Sequence, residues 1–184
     1  MRFVRTALLG VLLPLALGAC GDITDDLLPS SDDQRSAVET GVVGPGVGQL
    51  APDFTVPDSF GDDYTLSGEL PATGGVVLYF TMWCPICDSH MSHMRDTVIP
   101  RYPGVQFLAV DYVSGSVADT RSAQESHGFG GTGFLVLADL ADMVESLYDG
   151  TMGTTVVIDA DGVVQMNEDY RNGTRLQQVL AELE

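Results

Sequence analysis

A Cys-x-x-Cys motif at the junction of a predicted strand and a predicted helix constrains this chain more than any other feature. Cys84 and Cys87 follow an apolar, β-branched run that predicts a buried strand over residues 76–81. Pro85 suits the first turn of a helix, because its fixed backbone angle is helical and its missing amide has no partner there. We therefore predict a helix from Pro85 to about residue 98, with Cys84 at its N-terminus.

The position of the two sulfurs predicts redox chemistry. Unpaired amides and the positive end of the helix dipole favour a thiolate at Cys84. Cys87 lies one helical turn further on the same side, where it can form a disulfide with Cys84. Such a nucleophile and resolving thiol need no cofactor beyond their own disulfide. The alternative is half a zinc site, which needs two further ligands at matching spacing, and Cys20 is the only other cysteine.

Three stretches carry a resemblance to a known family. The stretches are residues 51–58, the Trp-Cys-Pro-Ile-Cys motif at 83–87 and residues 153–162. They resemble the TlpA/ResA-like (redoxin, AhpC/TSA-like) branch of the thioredoxin superfamily. The resemblance covers about residues 49–184. It implies an α/β, thioredoxin-like fold, in which helices flank a central mixed sheet, with an N-terminal hairpin and a redoxin-type insertion around residues 116–150. It also implies a thiol–disulfide oxidoreductase whose partners are protein thiols or disulfides and an unidentified electron donor or acceptor.

The same resemblance indicates which residues neighbour the sulfurs. Trp83 and Pro85 flank Cys84, and we expect Trp83 either to shield the site and contact the substrate or to pack in the core. The cis-proline of the family aligns with Gly153, so Met152 takes the place of the residue presented to the substrate. Because a non-proline cis bond costs about 2.5–4 kcal/mol, we predict a trans Met152–Gly153 bond.

A histidine stands where related proteins carry an acid. Leu78 aligns with the buried acid of thioredoxin, and His90 aligns with an acid that some ResA-like proteins carry three residues past the second cysteine. Histidine titrates near neutral pH, so His90 is a candidate to accept or donate the proton during exchange. The alternative is a solvated histidine on the helix surface.

A copper(I) chaperone is one alternative function. Copper(I) favours sulfur and imidazole ligands, so Cys84, Cys87 and His90 are a candidate ligand set. Thioredoxin-like copper chaperones have wider cysteine spacing and a distant histidine, for which His127 is the remaining candidate. The nearby methionines of the same helix more often pack in the core. They are Met91 and Met94.

A thiol peroxidase is the other alternative. The run from Thr81 to Cys84 resembles the Thr-x-x-Cys part of a peroxiredoxin site, in which the threonine would orient the peroxide. The proline that opens that motif corresponds to Val77, so the match is partial. The tryptophan and the second cysteine point back to disulfide exchange.

The N-terminus resembles a bacterial lipoprotein signal. Arg2 and Arg5 precede an apolar run that is too short to span a bilayer comfortably, and small residues lead to Cys20. We predict a signal peptide over residues 1–19, lipid on Cys20, an acidic and glycine-rich tether over 20–48 and the domain over 49–184. The predicted location is the bacterial cell envelope, facing the periplasm or the exterior.

The charge of the chain excludes one class of partner. Eight basic residues, all arginine, stand against 26 acidic ones, for a net charge of −18. Phosphate backbones need the opposite sign, so we expect no nucleic-acid partner. Anionic lipid would also be repelled, so membrane attachment falls to the lipid on Cys20.

Turn and capping residues predict the remaining elements. An opening hairpin pairs residues 54–56 with 64–66, and Asp161-Gly162 predicts a second hairpin between residues 154–159 and 163–166. Ser116 resembles the start of a capping box, and Thr174 that of another. The other predicted elements are strands over 105–111 and 134–137 and helices over 117–128, 139–148 and 174–183.

Overall fold

The computed structural model describes residues 39–131 and 133–183. The predicted signal peptide over 1–19, the lipidation site Cys20 and residues 20–38 of the predicted tether lie outside the described residues. Among the residues that are described, no helix has the length and apolar character needed to cross a membrane.

A mixed sheet of five strands forms the centre of the fold, preceded by the predicted hairpin. The strands are β1 (Thr55–Pro57), β2 (Asp63–Thr65), β3 (Gly75–Thr81), β4 (Val105–Asp111), β5 (Phe134–Ala138), β6 (Thr154–Asp159) and β7 (Val164–Asp169). β1 and β2 pair with each other, and the central sheet has the order β5-β4-β3-β6-β7. β3, β4 and β5 run parallel, whereas β6 and β7 are antiparallel to their neighbours. The predicted α/β fold with a central mixed sheet is confirmed.

Helices connect these strands. They are α1 (Leu66–Glu69), α2 (Pro85–His93), α3 (Val117–Ser126), α4 (Met143–Tyr148) and α5 (Thr174–Leu180). α3, β5 and α4 occupy the predicted insertion, and β5 extends the sheet beside β4. Ser116 begins α3 as predicted, because its hydroxyl accepts a hydrogen bond from the Asp119 amide.

Helix boundaries and one helix cap differ from prediction. α2 is α-helical only to His93, followed by a π-helical turn over Met94–Val98 and a 3-10 turn, because Pro100 has no amide to continue the ladder. α4 begins four residues late, since the Asp139 carboxylate turns back to accept from the amides of Met143 and Glu145. α5 is preceded by Gly173 rather than capped by the Thr174 side chain.

The sheet separates two apolar clusters, and alternate residues of β3 contribute to each. Val77 and Tyr79 face the cluster that also contains Cys87 and residues of α5. Leu78 and Phe80 face the other cluster, which contains the hairpin and α4. Every residue of β3 is buried, as expected for the central strand of a covered sheet. The buried strand β3 therefore fixes the position of the segment that leads from the sheet to Cys84.

The segment before β1 differs from the predicted tether. Within residues 41–50, the Gly48 amide donates to the Val164 carbonyl (2.8 Å) and the Asn167 side chain donates to the Pro45 carbonyl (3.1 Å). Gly41 and Gly48 have φ near +80°, so the glycines make turns that bring the segment back onto β7. At the opposite edge of the sheet, Ser59 donates to Val136 of β5 (2.8 Å).

Candidate functional site

The two cysteines of the motif lie together at the C-terminal end of β3. Their Sγ atoms are 2.8 Å apart, and both are free thiols. Cys84 is the N-cap of α2, and its sulfur accepts a hydrogen bond from the Cys87 amide (3.3 Å). Cys84 is partly exposed, whereas Cys87 is fully buried. Pro85 stands in the first turn of α2, as predicted, so the exposed sulfur faces the free amides of that turn.

Hydrogen bonds favour a negative charge on the buried sulfur of the pair. Burial alone would raise the pKa of Cys87. The Cys84 thiol, the amides of Met82 and Cys84, and the Thr81 hydroxyl all donate towards it, and together they lower that pKa below its usual value. A thiolate formed at Cys87 is thus stabilised by the site itself.

Trp83 adopts a left-handed backbone conformation directly before Cys84. Its φ is +56°, a costly value for an aromatic residue, and its amide donates to Thr81 Oγ1 (3.1 Å). Its ring packs against His127, with ring centroids 5.4 Å apart. His127 is held in turn by Asp88 of α2, through a 2.9 Å contact between Nδ1 and Oδ2. Trp83 is therefore both packed in part against the core and present at the site.

The loop before β6 brings a third sulfur to the pair. Met152 Sδ lies 3.4 Å from Cys84 Sγ. Gly153 is buried with φ +87°, and its amide donates to the Phe80 carbonyl (3.0 Å). The predicted trans Met152–Gly153 bond is confirmed, because the described part of the chain contains no cis peptide bond.

His90 is partly exposed and lies against two tyrosines. Its Nδ1 is 3.1 Å from the Tyr79 hydroxyl, and its ring centroid is 4.7 Å from that of Tyr170. Burial, followed by the charge of His93, lowers the pKa of His90 below 6.5. His90 is accordingly neutral at neutral pH, with Nδ1 available as an acceptor from Tyr79.

The copper(I) ligand set is not assembled in this structure. Among residues 39–131 and 133–183, no group of three or more His, Cys, Asp and Glu residues is placed to hold a metal ion. His90 is engaged with Tyr79, and His127 with Asp88. The two methionines of the helix are fully buried, as expected for core packing. They are Met91 and Met94.

Apolar side chains surround the exposed sulfur. Met82, Ile86 and Met152 are 43%, 55% and 39% exposed. They come from the end of β3, the first turn of α2 and the loop before β6. Solvent-exposed side chains of this size beside a reactive sulfur offer an apolar contact surface to a polypeptide substrate.

Two tyrosines of the site were not among the predicted site residues. Tyr79 lies within the apolar run of β3, and Tyr170 follows β7, 80 residues after His90. A buried tyrosine hydroxyl normally has a hydrogen-bond partner, so Tyr79 within a buried strand was the available signal. The partner itself depends on how α2 packs on the sheet, which the sequence pattern does not specify.

Comparisons with known proteins identify a family for this chain. The sequence profile of the AhpC/TSA family matches residues 47–167. The thiol–disulfide oxidoreductase ResA of Geobacillus kaustophilus is 31% identical over 121 residues, which are 65% of this chain and 67% of that protein. The methylamine utilization protein MauD of Paracoccus denitrificans is 28% identical over 66% of this chain and 58% of its own length.

Solved structures are similar over the same region. A putative thiol:disulfide interchange protein DsbE from Chlorobium tepidum superposes with a TM-score of 0.63 and 25% identity, over 75% of this chain and 97% of that one. The peroxidoxin BcpB of Mycobacterium tuberculosis superposes with a TM-score of 0.59 and 24% identity, over 74% of this chain and 95% of that one. The thioredoxin-like fold predicted from the resemblance is confirmed.

Proposed function

The chain belongs to the AhpC/TSA family, and we propose that it is a thiol–disulfide oxidoreductase that uses Cys84 as nucleophile and Cys87 as resolving thiol. One observation carries this proposal, namely the unequal exposure of two sulfurs only 2.8 Å apart. The exposed sulfur of Cys84 is accessible to the disulfide of a protein substrate. The buried sulfur of Cys87 can attack only the Cys84 sulfur beside it.

The reaction proceeds through two exchanges. The Cys84 thiolate attacks one sulfur of a substrate disulfide, so that an S–S bond forms to Cys84 and one substrate thiolate leaves. The Cys87 thiolate then attacks Cys84 Sγ, which releases the second substrate thiolate and leaves the Cys84–Cys87 disulfide. Two electrons pass from the protein to the substrate, and an electron donor must later reduce the pair again. The reverse sequence oxidises a substrate dithiol.

Neighbouring residues support this chemistry. Pro85 starts the helix, and the Cys87 amide in its first turn donates to the Cys84 sulfur (3.3 Å). Trp83 shields one side of the pair, and Met152 covers the Cys84 sulfur from the other loop. Gly153 keeps that loop close to the sheet by its bond to Phe80. The exposed apolar side chains around Cys84 would contact the substrate chain.

The geometry favours disulfide exchange over peroxide reduction. Thr81, which would have to orient a peroxide at Cys84, is fully buried. Its hydroxyl accepts from the Trp83 amide and donates to Cys87, the wrong sulfur for that role. The peroxidase alternative therefore lacks a free hydroxyl beside the nucleophile.

We further propose that the protein works on the outer side of a bacterial membrane, held there by lipid on Cys20. The signal-like N-terminus and the position of Cys20 support this location. Metabolic labelling with a radioactive fatty acid tests it, with Cys20→Ala as the matched variant. Label on the wild-type protein alone is expected, and equal label on both proteins would refute the anchor.

Disulfide reduction by cysteine variants tests the activity. With a fluorescent peptide disulfide as substrate, Cys84→Ser should abolish turnover. Cys87→Ser should stop at a mixed disulfide with Cys84, visible as a mass increase that dithiothreitol reverses. Full activity of the Cys84→Ser protein would overturn the assignment of the nucleophile. Hydroperoxide consumption by Cys87→Ser at the wild-type rate would favour the peroxidase instead.

A further inference from the structure

The proposed function leaves the buried thiol with a proton to lose. Cys87 attacks as a thiolate, yet its side chain has no exposed surface from which solvent could take the proton. Tyr79 lies in the same buried cluster as Cys87, and the Cys87 sulfur is, after burial, the next cause that raises the pKa of the Tyr79 hydroxyl. The same hydroxyl lies 3.1 Å from Nδ1 of His90, whose ring is partly exposed.

We propose that Tyr79 and His90 form a proton relay that connects the buried Cys87 sulfur with solvent during resolution of the mixed disulfide. This inference rests on the proposed function, because it concerns its second exchange. A tyrosine hydroxyl can accept one hydrogen bond while it donates another, which is what a relay between a thiol and an imidazole requires. The relay thus runs from the core side of α2 to its surface.

Two coupled proton transfers precede the attack of Cys87 on the mixed disulfide. The Cys87 thiol gives its proton to the Tyr79 oxygen as the Tyr79 hydroxyl gives its own proton to His90 Nδ1. The Cys87 thiolate, now stabilised by the Thr81 hydroxyl, attacks Cys84 Sγ and expels the substrate thiolate. Protonated His90 then returns its proton to solvent or to the departing thiolate. The tyrosine ends the step neutral, as it began.

The other titratable groups around the relay do not compete with His90 for the proton. Burial raises the pKa of Tyr79 well above 10, so it transfers protons only in concert and does not act as a free base. Burial also raises the pKa of Tyr170 to about 12 and, with the charge of Cys87 as the next cause, that of Tyr112 at the end of β4. His93 is hydrogen-bonded to Tyr170. His90, whose pKa lies below 6.5, is the acceptor.

A two-phase reaction separates the two exchanges. The full chain carrying Cys20→Ser, fully reduced, is mixed in a stopped-flow instrument with one equivalent of dithiobis(nitrobenzoic acid). Attack by Cys84 releases the first coloured thiolate, and attack by Cys87 on the mixed disulfide releases the second. The second phase therefore measures the step in which the relay acts.

Tyr79→Phe removes the hydroxyl and retains the ring. We expect the second phase to slow by about 100-fold, within the range of general acid–base catalysis, while the first phase keeps its rate. His90→Gln retains a hydrogen-bond acceptor that cannot carry the proton, and it should slow the second phase in the same way. The wild-type second phase should also rise with pH through the pKa of His90, and this rise should be absent in His90→Gln.

Two matched variants control for structural effects. Tyr102→Phe removes a hydroxyl from the same apolar cluster, where it donates to the Gln177 carbonyl (3.0 Å). His93→Gln changes the other histidine of α2. Above neutral pH both should keep both phases at the wild-type rate, so a slow second phase in these proteins as well would refute the relay.

The outcomes distinguish this inference from the proposed function. An unchanged second phase in Tyr79→Phe overturns the relay and leaves the roles of the cysteines intact. Absence of the second coloured thiolate in the wild-type protein overturns the resolving role of Cys87 and the relay with it. A slow second phase with its pH dependence retained in His90→Gln would also overturn the relay, because His90 would then not be the acceptor.

Discussion

Substitutions of Gly153 test which interactions hold the loop before β6 over the two sulfurs. Its φ of +87° lies in the region that favours glycine, and its amide donates to the Phe80 carbonyl at 3.0 Å. Proline at this position would fix φ near −65° and remove the donor, leaving a buried carbonyl of β3 without its partner. The loss of the hydrogen bond and the backbone conflict together should cost at least about 3 kcal/mol of unfolding free energy.

Gly153→Ala isolates the contribution of the backbone angle. An added Cβ would meet only His90, at 3.8 Å, which is an ordinary contact. Left-handed strain of about 1–2 kcal/mol is partly offset by about 0.4–1 kcal/mol from the stiffer unfolded chain, so the net cost is about 1 kcal/mol. Gly162→Ala, at the other end of β6 with φ +79° and an ordinary contact at 3.5 Å, should cost the same.

Urea unfolding followed by the fluorescence of Trp83, the single tryptophan, measures these differences. With a slope of about 1–3 kcal/mol per molar urea, Gly153→Pro should lower the midpoint by at least about 1–3 M, and the two alanine variants by roughly a third of that. Equal midpoints for Gly153→Pro and Gly153→Ala would refute the reasoning. They would mean that the loop accepts the backbone angle of proline and that the bond to Phe80 contributes nothing.

Three further predictions follow from other contacts. Asp139→Ala removes a buried carboxylate that accepts hydrogen bonds from two amides in the first turn of α4, and should lower the unfolding free energy by about 2–3 kcal/mol. A loss below about 0.5 kcal/mol in urea unfolding would contradict the cap. Met152→Ala uncovers Cys84 Sγ, so iodoacetamide should alkylate Cys84 faster while the unfolding free energy stays within about 0.5 kcal/mol of wild type. An unchanged alkylation rate would contradict the shielding. The pKa of His90 is lower in the folded protein than its ordinary 6.5. The unfolding free energy should therefore carry no penalty from His90 above pH 6.5, and it should fall as the pH drops from 6.5 through the pKa of the folded state. His90→Gln should reduce that loss in urea unfolding, and an identical pH dependence in both proteins would refute the shift.

Local patterns predicted most of the elements that position the motif. β4 and β6 have the predicted bounds, because alternating or continuous apolar residues end at glycine, proline or aspartate. Ser116 begins α3 through a hydrogen bond within four residues, which a sequence shows directly. The Cys-x-x-Cys motif lies at the predicted strand-to-helix junction, because the apolar run of β3 and Pro85 are also local signals.

Contacts that join distant parts of the chain could not be predicted in the same way. Asp88 and His127 are 39 residues apart, and they meet because α3 ends beside α2. Met152 reaches Cys84 across 68 residues through the loop before β6. The end of α2 was missed for a related reason, since the π-helical turn at Met94 follows from packing and from Pro100 rather than from helix propensity.

The two segments that lie along the outer strands of the sheet have a consequence for solubility. Exposed outer strands present unpaired amides and carbonyls on which another chain can add a strand and start aggregates. Here Gly48 and Leu50 pair with β7 and its turn, and Asp58 and Ser59 pair with β5. A shortened protein that begins at Gln49 would lose part of the first cover and become prone to self-association through β7, whereas one that begins before Gly41 would retain it.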